Sequence, residues 1–374
     1  KKMKFQCETA ELKKATKTVI AAVAAKPSTP IFGAIHLIAR SDGTLRLEGM
    51  DVTLSMSCEI KSSVEEEGEI LIEAQRFNKL VNSLNSDTVS FSKEETQNNV
   101  HMTAGSGSYN ILLMGSLDDY PKFPDFNADK SFTLEEEKIK ELIDKTEFAC
   151  SKDEARPLFN GVLCEIQDGK ITFVGTNTHR LVIKTLPLEG TDNMSIIIPS
   201  KVLREILTSL NAKLPQEVQF SLASNQLMVV IGNVTIVSRL IEGRFPDYRR
   251  VVPPTFAVKT KVATKAFAGA VSRMSLCSGS ESDYSIVKIS IEGNEMKVMS
   301  SSPEVGTGEE MLPCQTEGEG IHVAFNAAYV TDILKHIATE ETELSLNNSL
   351  SPVCIRPTDA EEYTYIVTPV RVVF

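Results

Sequence analysis

The chain has 374 residues, of which 42% are hydrophobic and 24% charged, with 20 glycines and 16 prolines. This composition is that of a globular protein and excludes a disordered, collagen-like or mucin-like chain, while the length predicts two or three domains. A formal net charge of −11 argues against a protein that coats nucleic acid with its whole surface, but it allows a local basic stripe.

The cysteines and the apolar runs indicate a cytoplasmic protein. The seven cysteines are scattered without a C-x-x-C pair: Cys7, Cys58, Cys150, Cys164, Cys277, Cys314 and Cys354. We therefore expect reduced thiols rather than a zinc site or a secreted disulfide framework. No apolar run approaches the roughly 20 residues that span a bilayer, and no secretory signal pattern opens the sequence.

Short strands and amphipathic helices follow one another in the same order in each third of the chain. The first third has the strand Phe5–Cys7, a helix over Glu11–Val23, the strand Leu45–Glu48, and Ile70–Ile72 leading into a helix that ends at Leu84. The second third has Phe132–Leu134, a helix over Glu136–Phe148, Lys170–Val174, Ile196–Ile198 leading into a helix that ends at Leu210, and the strands Val218–Ser221 and Gln226–Ile231. The last third has Phe256–Val258, a helix over Thr264–Ser275, and Ile321–Phe325 leading into a helix that ends at Ile337.

This recurrence predicts a threefold internal repeat. The ends of the three second helices, Leu84, Leu210 and Ile337, lie 126 and 127 residues apart, and proline-rich joins follow the first two units. We therefore expect an α+β fold of three tandem domains, over residues 1–125, 126–252 and 253–374, each with two helices packed on antiparallel sheet.

Basic residues on the predicted helices favour a surface that faces DNA. They are Lys13, Lys14, Lys17, Arg76, Lys79, Lys138, Lys140, Lys145, Lys201, Arg204, Lys261, Lys265, Arg273 and Lys335. Six helices side by side would enclose a circle only about 17 Å across, whereas twelve would leave about 24 Å clear, enough for a duplex about 20 Å wide. We therefore expect each chain to be a crescent that forms half of a closed two-chain ring and contacts phosphates without reading sequence. Lysines on exposed helices more often simply face solvent than bind nucleic acid, so this pattern alone is weak evidence for DNA binding.

Catalytic signatures are missing from the sequence. It contains no G-x-S-x-G, G-x-x-x-x-G-K-[ST] or H-E-x-x-H motif, and no complete G-x-G-x-x-G. The five histidines, His36, His101, His179, His322 and His336, have no metal-ligand spacing. We therefore expect a non-catalytic protein without a metal or other cofactor.

Four stretches carry a family resemblance: Arg156–Gly161, Gly175–Leu181, Ile241–Pro253 and Ile366–Arg371. With the three-unit organisation they make the whole chain resemble the bacterial DNA polymerase III beta subunit, the sliding clamp. The E-G-R-F-P-D-Y block at residues 242–248 is the most specific of them. The resemblance implies a head-to-tail homodimeric ring around double-stranded DNA that tethers the replicative polymerase, other polymerases and repair proteins, and that a separate ATP-dependent clamp loader places on DNA.

The resemblance also implies a cleft between the second and third domains, into which partners insert a short, partly hydrophobic peptide. Carried over residue by residue, the cleft comprises Arg156, Phe159, Thr176, His179, Arg180, Leu181, Pro246, Arg250, Val251, Tyr329, Leu350, Ile366, Thr368, Val370 and Arg371. Its apolar members suit leucine or phenylalanine anchors, and its basic members suit the polar groups of the peptide at the rim.

Contacts to DNA and between chains are implied by the same resemblance. Positions on the inner surface of the ring map onto Lys26, Arg76, Pro157 and Lys201. Arg76 and Lys201 stand at matching helix starts of the first two repeats, which supports them independently. For dimer closure the candidates are Tyr109 and Ile111 in the first domain and Met274 and Leu276 in the third.

The sequence departs from the family pattern at three places. Asn177-Thr178 stands where Asp-Gly or Asp-Ser is usual, Thr368 stands where methionine is common, and Val372-Val373-Phe374 extends the usual end. Loss of a glycine from the first of these places is expected to alter the turn and one wall of the cleft.

Two other hypotheses stay open from the sequence. One is an enzyme with its site at the Thr176–Arg180 turn and His179 as general base, which an essential group near the histidine pKa in its pH profile would reveal. The other is a monomeric three-domain adaptor that binds peptides but no DNA. A solution mass of one chain rather than two would identify the adaptor.

Overall fold

The computed structural model describes residues 2–210, 216–278, 285–359 and 362–374. These residues form six α-helices: α1 Thr9–Val19, α2 Ala74–Ser83, α3 Glu136–Asp144, α4 Ser200–Ser209, α5 Thr264–Ser275 and α6 Ala327–Leu334. All six helices predicted from the sequence are present. α1 and α3 end earlier than predicted, because short 3-10 turns at Ile20–Ala22 and Glu147–Ala149 take up the following residues.

Strands make up most of the remaining regular structure. In the first third they are β1 Met3–Glu8, β2 Ala34–Arg40, β3 Thr44–Met50, β4 Leu54–Lys61, β5 Ser63–Glu66, β6 Gly68–Glu73, β7 Thr88–Lys93, β8 Asn99–Ala104 and β9 Gly107–Leu112. In the second third they are β10 Lys130–Glu135, β11 Gly161–Gln167, β12 Lys170–Thr176, β13 Arg180–Pro187, β14 Met194–Pro199, β15 Glu217–Ala223, β16 Gln226–Ile231 and β17 Val234–Arg239. In the last third they are β18 Val258–Ala263, β19 Ile286–Glu292, β20 Glu295–Ser302, β21 Gly306–Glu317, β22 Ile321–Asn326, β23 Glu341–Leu346, β24 Val353–Pro357 and β25 Tyr363–Val367.

The chain divides into two compact units, Lys1–Ile139 with Lys201–Leu240, and Lys140–Ser200 with Ile241–Phe374. The first unit holds a sheet in the order β5-β1-β7-β8-β9 and a second sheet in the order β10-β15-β16-β17-β4-β3-β2-β6. The second unit holds a sheet in the order β14-β11-β12-β13-β25-β24-β23-β18-β21-β20-β19-β22. The pairings are antiparallel throughout these sheets, so the predicted α+β class with antiparallel sheet is confirmed.

Local sequence patterns explain how these elements form. In β1 every second side chain is buried, which is the period of a strand with one face on a core. In α1 the buried side chains Leu12, Ala15, Thr16 and Val19 recur at helical spacing. Glu73 caps α2 by accepting hydrogen bonds from the backbone of Gln75 and Arg76, which satisfies donors that the helix itself leaves without partners.

One predicted strand begins later than expected. The pattern at Phe256–Val258 predicted a strand there, but β18 starts only at Val258. Ala257 donates its backbone N–H to both the Leu346 carbonyl and the Asn347 side chain, so local hydrogen bonds to one neighbouring segment replace a regular ladder at this point.

A close contact between a helix end and a strand recurs in the first two repeats. A Cβ atom on Gly49 of β3 would lie 2.3 Å from the Val19 carbonyl oxygen, and one on Gly175 of β12 would lie 2.3 Å from the Thr146 carbonyl oxygen. Only glycine permits so close an approach of two backbones. The first two sequence repeats therefore share a packing detail as well as an element order.

The sheets continue across the boundaries between sequence repeats. β4 pairs with β17, from Leu54 opposite Ser238 to Cys58 opposite Val234. β13 pairs with β25, from Arg180 opposite Val367 to Lys184 opposite Tyr363. Each junction joins the third strand of the meander that follows a repeat's first helix to the last strand of the next repeat. In the described part of the chain, no helix is long and apolar enough to cross a membrane.

Candidate functional site

A cavity of about 160 Å³ in the second unit brings together strand ends and a connecting loop. Nine of the predicted cleft residues line it: Phe159, Thr176, His179, Arg180, Leu181, Pro246, Val251, Ile366 and Thr368. Leu181 and Ile366 face each other across the β13–β25 pair and are buried at its floor. Val251 lies at the cavity with 42% of its surface exposed, so an incoming apolar side chain would cover it.

The turn between β12 and β13 shapes one wall of the cavity. The Asn177 carboxamide oxygen accepts hydrogen bonds from the backbone N–H groups of His179, at 3.0 Å, and Arg180, at 3.1 Å. The Thr176 hydroxyl donates to the Arg180 carbonyl at 2.6 Å and accepts from the Thr178 N–H at 3.1 Å. The His179 carbonyl accepts from the backbone of Thr368 at 3.0 Å, which ties the turn to the end of β25.

Thr178 holds an unfavourable backbone conformation in this turn. Its φ is +78°, in the left-handed region that a β-branched residue rarely adopts. Its hydroxyl accepts a hydrogen bond from Arg156 at 3.0 Å, and the residue lines the cavity. The departure from glycine at this position therefore adds a side chain to the cavity wall, and that side chain is held by Arg156.

We expect Thr178→Gly to raise the free energy of unfolding by about 1 kcal/mol, because glycine removes the left-handed strain at the cost of chain entropy and one exposed hydrogen bond. Chemical denaturation measures the change. Ser224→Gly is the matched control: Ser224 also has a positive φ, +52°, but no branched Cβ, and it should gain less. A Thr178→Gly protein less stable than the parent would show that the Arg156 hydrogen bond outweighs the strain.

Arg180 acts mainly as a support beneath the cavity. Only 8% of its side chain is exposed, and its guanidinium donates to Asp332 at 2.7 Å and to the Phe148 carbonyl at 2.6 Å. It also lies 4.7 Å from the centre of the Tyr329 ring. Burial disfavours its charge, but Tyr365 and the Asp332 hydrogen bond outweigh that effect, so the pKa of Arg180 is raised and the group stays charged.

The other six predicted cleft residues do not line the cavity: Arg156, Arg250, Tyr329, Leu350, Val370 and Arg371. Arg156 contacts it through Thr178, and Tyr329 through His179, whose ring stacks on the tyrosine at 6.4 Å. Arg250 is exposed and lies 3.1 Å from Asp247. The Val370 backbone donates to the Ala324 carbonyl at 2.7 Å, which places the tail after β25 along β22. Leu350 and Arg371 are exposed.

Three lining residues were missed from the sequence: Thr178, Phe245 and Tyr248. Phe245 and Tyr248 belong to the block at 242–248 that stood out in the sequence, and membership of that block was the signal that could have found them. Phe245 packs edge-to-face on Phe159 at 6.0 Å. Tyr248 is buried, which raises its pKa to about 12, and it donates to Glu165 at 3.1 Å.

The positions mapped to DNA are exposed. Arg76 lies in the first turn of α2 and Lys201 in the first turn of α4, while Lys26 follows the 3-10 turn after α1. These three lie in the first unit, and Pro157 lies in the second. Lys201 is 3.6 Å from Asp51, and half of its side chain is exposed to solvent.

The positions mapped to the dimer interface differ in exposure. Tyr109 and Ile111 lie on β9, the edge strand of its sheet, and are half-buried. Leu276 follows α5 with 75% of its surface exposed, whereas Met274 is 5% exposed and belongs to the core. Among the described residues, no group of three or more histidine, cysteine, aspartate and glutamate side chains could hold a metal ion.

Comparisons with known proteins cover nearly the whole chain. Residues 3–124, 133–247 and 249–371 match the profiles of the N-terminal, central and C-terminal domains of the DNA polymerase III beta subunit. The beta sliding clamp of Staphylococcus epidermidis is 29% identical over 360 residues, which are 94% of each chain. These three matches in tandem confirm the three-domain organisation, while the boundaries at 125 and 252 stay a prediction.

Solved structures extend the similarity to the fold. The DNA polymerase sliding clamp of Bacillus subtilis matches with a TM-score of 0.94 and 26% identity over 100% of both chains. A sliding clamp from Bartonella birtlesii, solved bound to griselimycin, matches with a TM-score of 0.93 and 26% identity, again over 100% of both chains.

Proposed function

This chain belongs to the bacterial DNA polymerase III beta subunit family, and we propose that two copies of it form a ring that encircles double-stranded DNA. As a sliding clamp it is a processivity factor of replication. In this proposal the ring binds DNA without sequence preference, has no catalytic activity, works in the cytoplasm and is loaded by a separate machine. It tethers the replicative polymerase, other polymerases and repair proteins through their peptides, which bind in the cleft described above.

The main support for a closed ring is the strand pairing that joins successive repeats, which occurs twice within the chain. Two such junctions lie within the chain, β4 with β17 and β13 with β25, and both join equivalent strands of successive repeats. The strand equivalent to β17 and β25 in the first repeat is β9. The strand equivalent to β4 and β13 in the third repeat is β21, because it is also the third strand of the meander that follows the repeat's first helix.

Both of these strands have an edge without a partner in the described part of the chain. β9 ends its sheet and pairs only with β8. The segment Gly306–Pro313 of β21 pairs only with β20, whereas the following residues, Cys314–Glu317, pair with β18. Unpaired strand edges are templates for pairing with another chain. We infer that β9 of one protomer pairs with β21 of its partner, head to tail, at two places around the ring.

The register and the surface chemistry support this third junction. We align β9 with β17 and β21 with β4 by the turns that precede them, and take the register of the β4–β17 pair. In that register Gly107 would lie opposite Glu309 and Ile111 opposite Val305. Apolar side chains are exposed beside these edges: Leu112, Leu276, Val305 and Met311. Such a cluster is typical of an interface. Met274 and Cys277 lie beside Gly308, so the helix end predicted from the sequence adjoins this strand.

The test of encirclement compares circular with linear DNA. Once the separate clamp loader has placed it on nicked circular DNA, a ring held by topology should stay there and should leave the same DNA after the circle is cut. Retention is measured by gel filtration in salt high enough to weaken phosphate contacts, at which non-specific binding alone would fail. Equal loss from both forms of DNA would overturn encirclement, and a solution mass of one chain would favour the adaptor instead.

We expect Arg76→Ala combined with Lys201→Ala to lower the slope of log affinity against log salt by about 1 to 2, because each phosphate contact contributes about 0.9 to that slope. Both side chains are exposed at helix starts. Lys61→Ala with Lys170→Ala is the matched control, since it removes the same charge from strands β4 and β12. An unchanged slope in the first variant would remove these two residues from the DNA-facing wall.

A further inference from the structure

We propose that the first unit carries a second peptide-binding pocket, built on the same plan as the cleft but selective for an acidic segment. This inference rests on the proposed function, because it assigns a further class of partner peptide to the same clamp. The pocket is a cavity of about 210 Å³. It is lined by the β3–β4 turn, by the proline-rich join that follows the first repeat, and by the end of β17.

The turn beside this pocket has the same hydrogen bonds as the turn beside the cleft. Asp51 Oδ1 accepts from the backbone N–H groups of Thr53 at 2.7 Å and Leu54 at 2.8 Å. Asn177 Oδ1 does the same for His179 and Arg180 at 3.0 and 3.1 Å. In each turn, the residue that bears this oxygen also donates its own N–H to the carbonyl three residues later.

The two pockets are also closed by equivalent segments. Arg239, at the end of β17, donates its backbone N–H to the Thr53 carbonyl at 3.0 Å. Thr368, just after β25, donates its N–H to the His179 carbonyl at the same distance. Pro121 and Pro124 of the first join line this pocket, as Pro246 and Val251 of the second join line the cleft. Each intrachain junction between repeats therefore builds a pocket from the same three parts.

The chemistry of the second pocket differs from that of the cleft. Its aliphatic lining residues are Met50 and Val237, which are buried in the wall, and Val52, which is 67% exposed and can contact an apolar side chain. Ser55 stands where the cleft has Leu181, so the floor is more polar. The pocket therefore fits one apolar anchor rather than the two or three of a mainly hydrophobic peptide.

Two cations at the rim select the charge of the ligand. Lys122 and Arg239 are exposed at the pocket, and among the described residues neither has a carboxylate partner. The one acidic lining residue, Asp51, is committed to its turn through Oδ1 and lies 3.6 Å from Lys201 through Oδ2. The net charge facing an incoming segment is positive, so an extended peptide with carboxylates on both sides of an apolar residue is the complementary ligand.

The experiment follows the methyl group of Met50 by NMR in the full chain labelled at methionine, with Val251→Asp added to disable the cleft. The probes are the acetylated and amidated peptides Asp-Leu-Asp-Asp and Lys-Leu-Lys-Lys. We expect the acidic peptide to shift the Met50 resonance saturably and the basic peptide to leave it unmoved. Lys122→Gln with Arg239→Gln should raise the dissociation constant at least about tenfold, because both charges are lost while the Arg239 backbone bond remains.

Three outcomes would overturn the second pocket. They are an unmoved Met50 resonance, a shift that the two glutamines leave unchanged, and a shift that depends on protein concentration without any peptide, which would make a second copy the occupant. The proposed function is tested separately, on the chain in which Val251 is intact. Retention on circular DNA and binding of a hydrophobic clamp-binding peptide to the chain with Val251 intact do not depend on Met50.

Discussion

Asn110→Pro is expected to sediment as a single chain and to leave nicked circular DNA as fast as it leaves linear DNA. Arg239 and Thr368 donate N–H groups to the neighbouring repeat at the two intrachain junctions. Leu112 is the equivalent residue on β9, and Asn110, two residues earlier, points its N–H to the same edge. Proline removes that donor at both interfaces of the ring, leaves the opposite carbonyl without a partner, and should weaken dimerisation by about 1 to 3 kcal/mol at each.

Asn110→Ala is the matched control because it removes the same side chain, with its contact to His101 at 3.0 Å, but keeps the backbone donor. It should remain dimeric and stay on circular DNA. The β8–β9 hairpin should survive both changes, since the affected N–H faces away from β8, and circular dichroism would verify that. A full two-chain mass for Asn110→Pro at low concentration would exclude β9 from the interface.

Val251→Asp is expected to weaken binding of a hydrophobic partner peptide by about 2 to 4 kcal/mol, which is a loss of about 30- to 1,000-fold. A carboxylate at this position would be desolvated by the peptide anchor beside the apolar floor formed by Leu181 and Ile366. Because Val251 is 42% exposed in the free chain, the folded protein tolerates the charge. Fluorescence anisotropy with a labelled peptide measures the loss.

The choice of Val251 over Leu181 follows from burial. Leu181 lies in a core cluster with Tyr248 and Ile366, so an aspartate there would unfold the region. The resulting loss of peptide binding would reflect unfolding and not the removal of a contact with the peptide. Val373→Asp is the control, since its side chain is 88% exposed and it adds the same charge outside the cavity. Unchanged affinity in Val251→Asp, with Val373→Asp also unchanged, would show that peptides bind elsewhere.

Local patterns in the sequence were enough to predict the helices and most strands. α5 has the predicted bounds because its apolar residues keep helical spacing throughout, and the long-period recurrence revealed the three domains. The start of β18 was misplaced because the Ala257 backbone donates a hydrogen bond to the side chain of Asn347, which is distant in sequence. Nine of the residues carried over from the family line the cavity. Its floor depends on the pairing of Leu181 with Ile366, which no local pattern specifies.

Other features of the site depend on packing that short motifs do not encode. Met274 and Leu276 are two residues apart, yet one is in the core and the other is exposed, because α5 ends between them. The position of the Arg180 guanidinium beneath the cavity depends on Asp332 in α6, which is distant in sequence. The second pocket was not predicted, although Asp51 and Asn177 each follow a glycine by two residues, because so short a pattern does not specify the hydrogen bonds of the turn.

The strand pairs β4–β17 and β13–β25 determine how the chain tolerates dissection. A fragment cut after residue 125 would keep β4 but lose β17, and the backbone of Leu54–Cys58 would then be open along one side. A fragment that begins at residue 253 would keep β25 but lose its partner strand β13 in the same way. Unpaired strand edges of this kind promote aggregation of a truncated protein. We therefore expect that the three domains recognisable in the sequence are not independent folding units. An isolated domain should aggregate unless charged residues or proline protect its exposed strand edge.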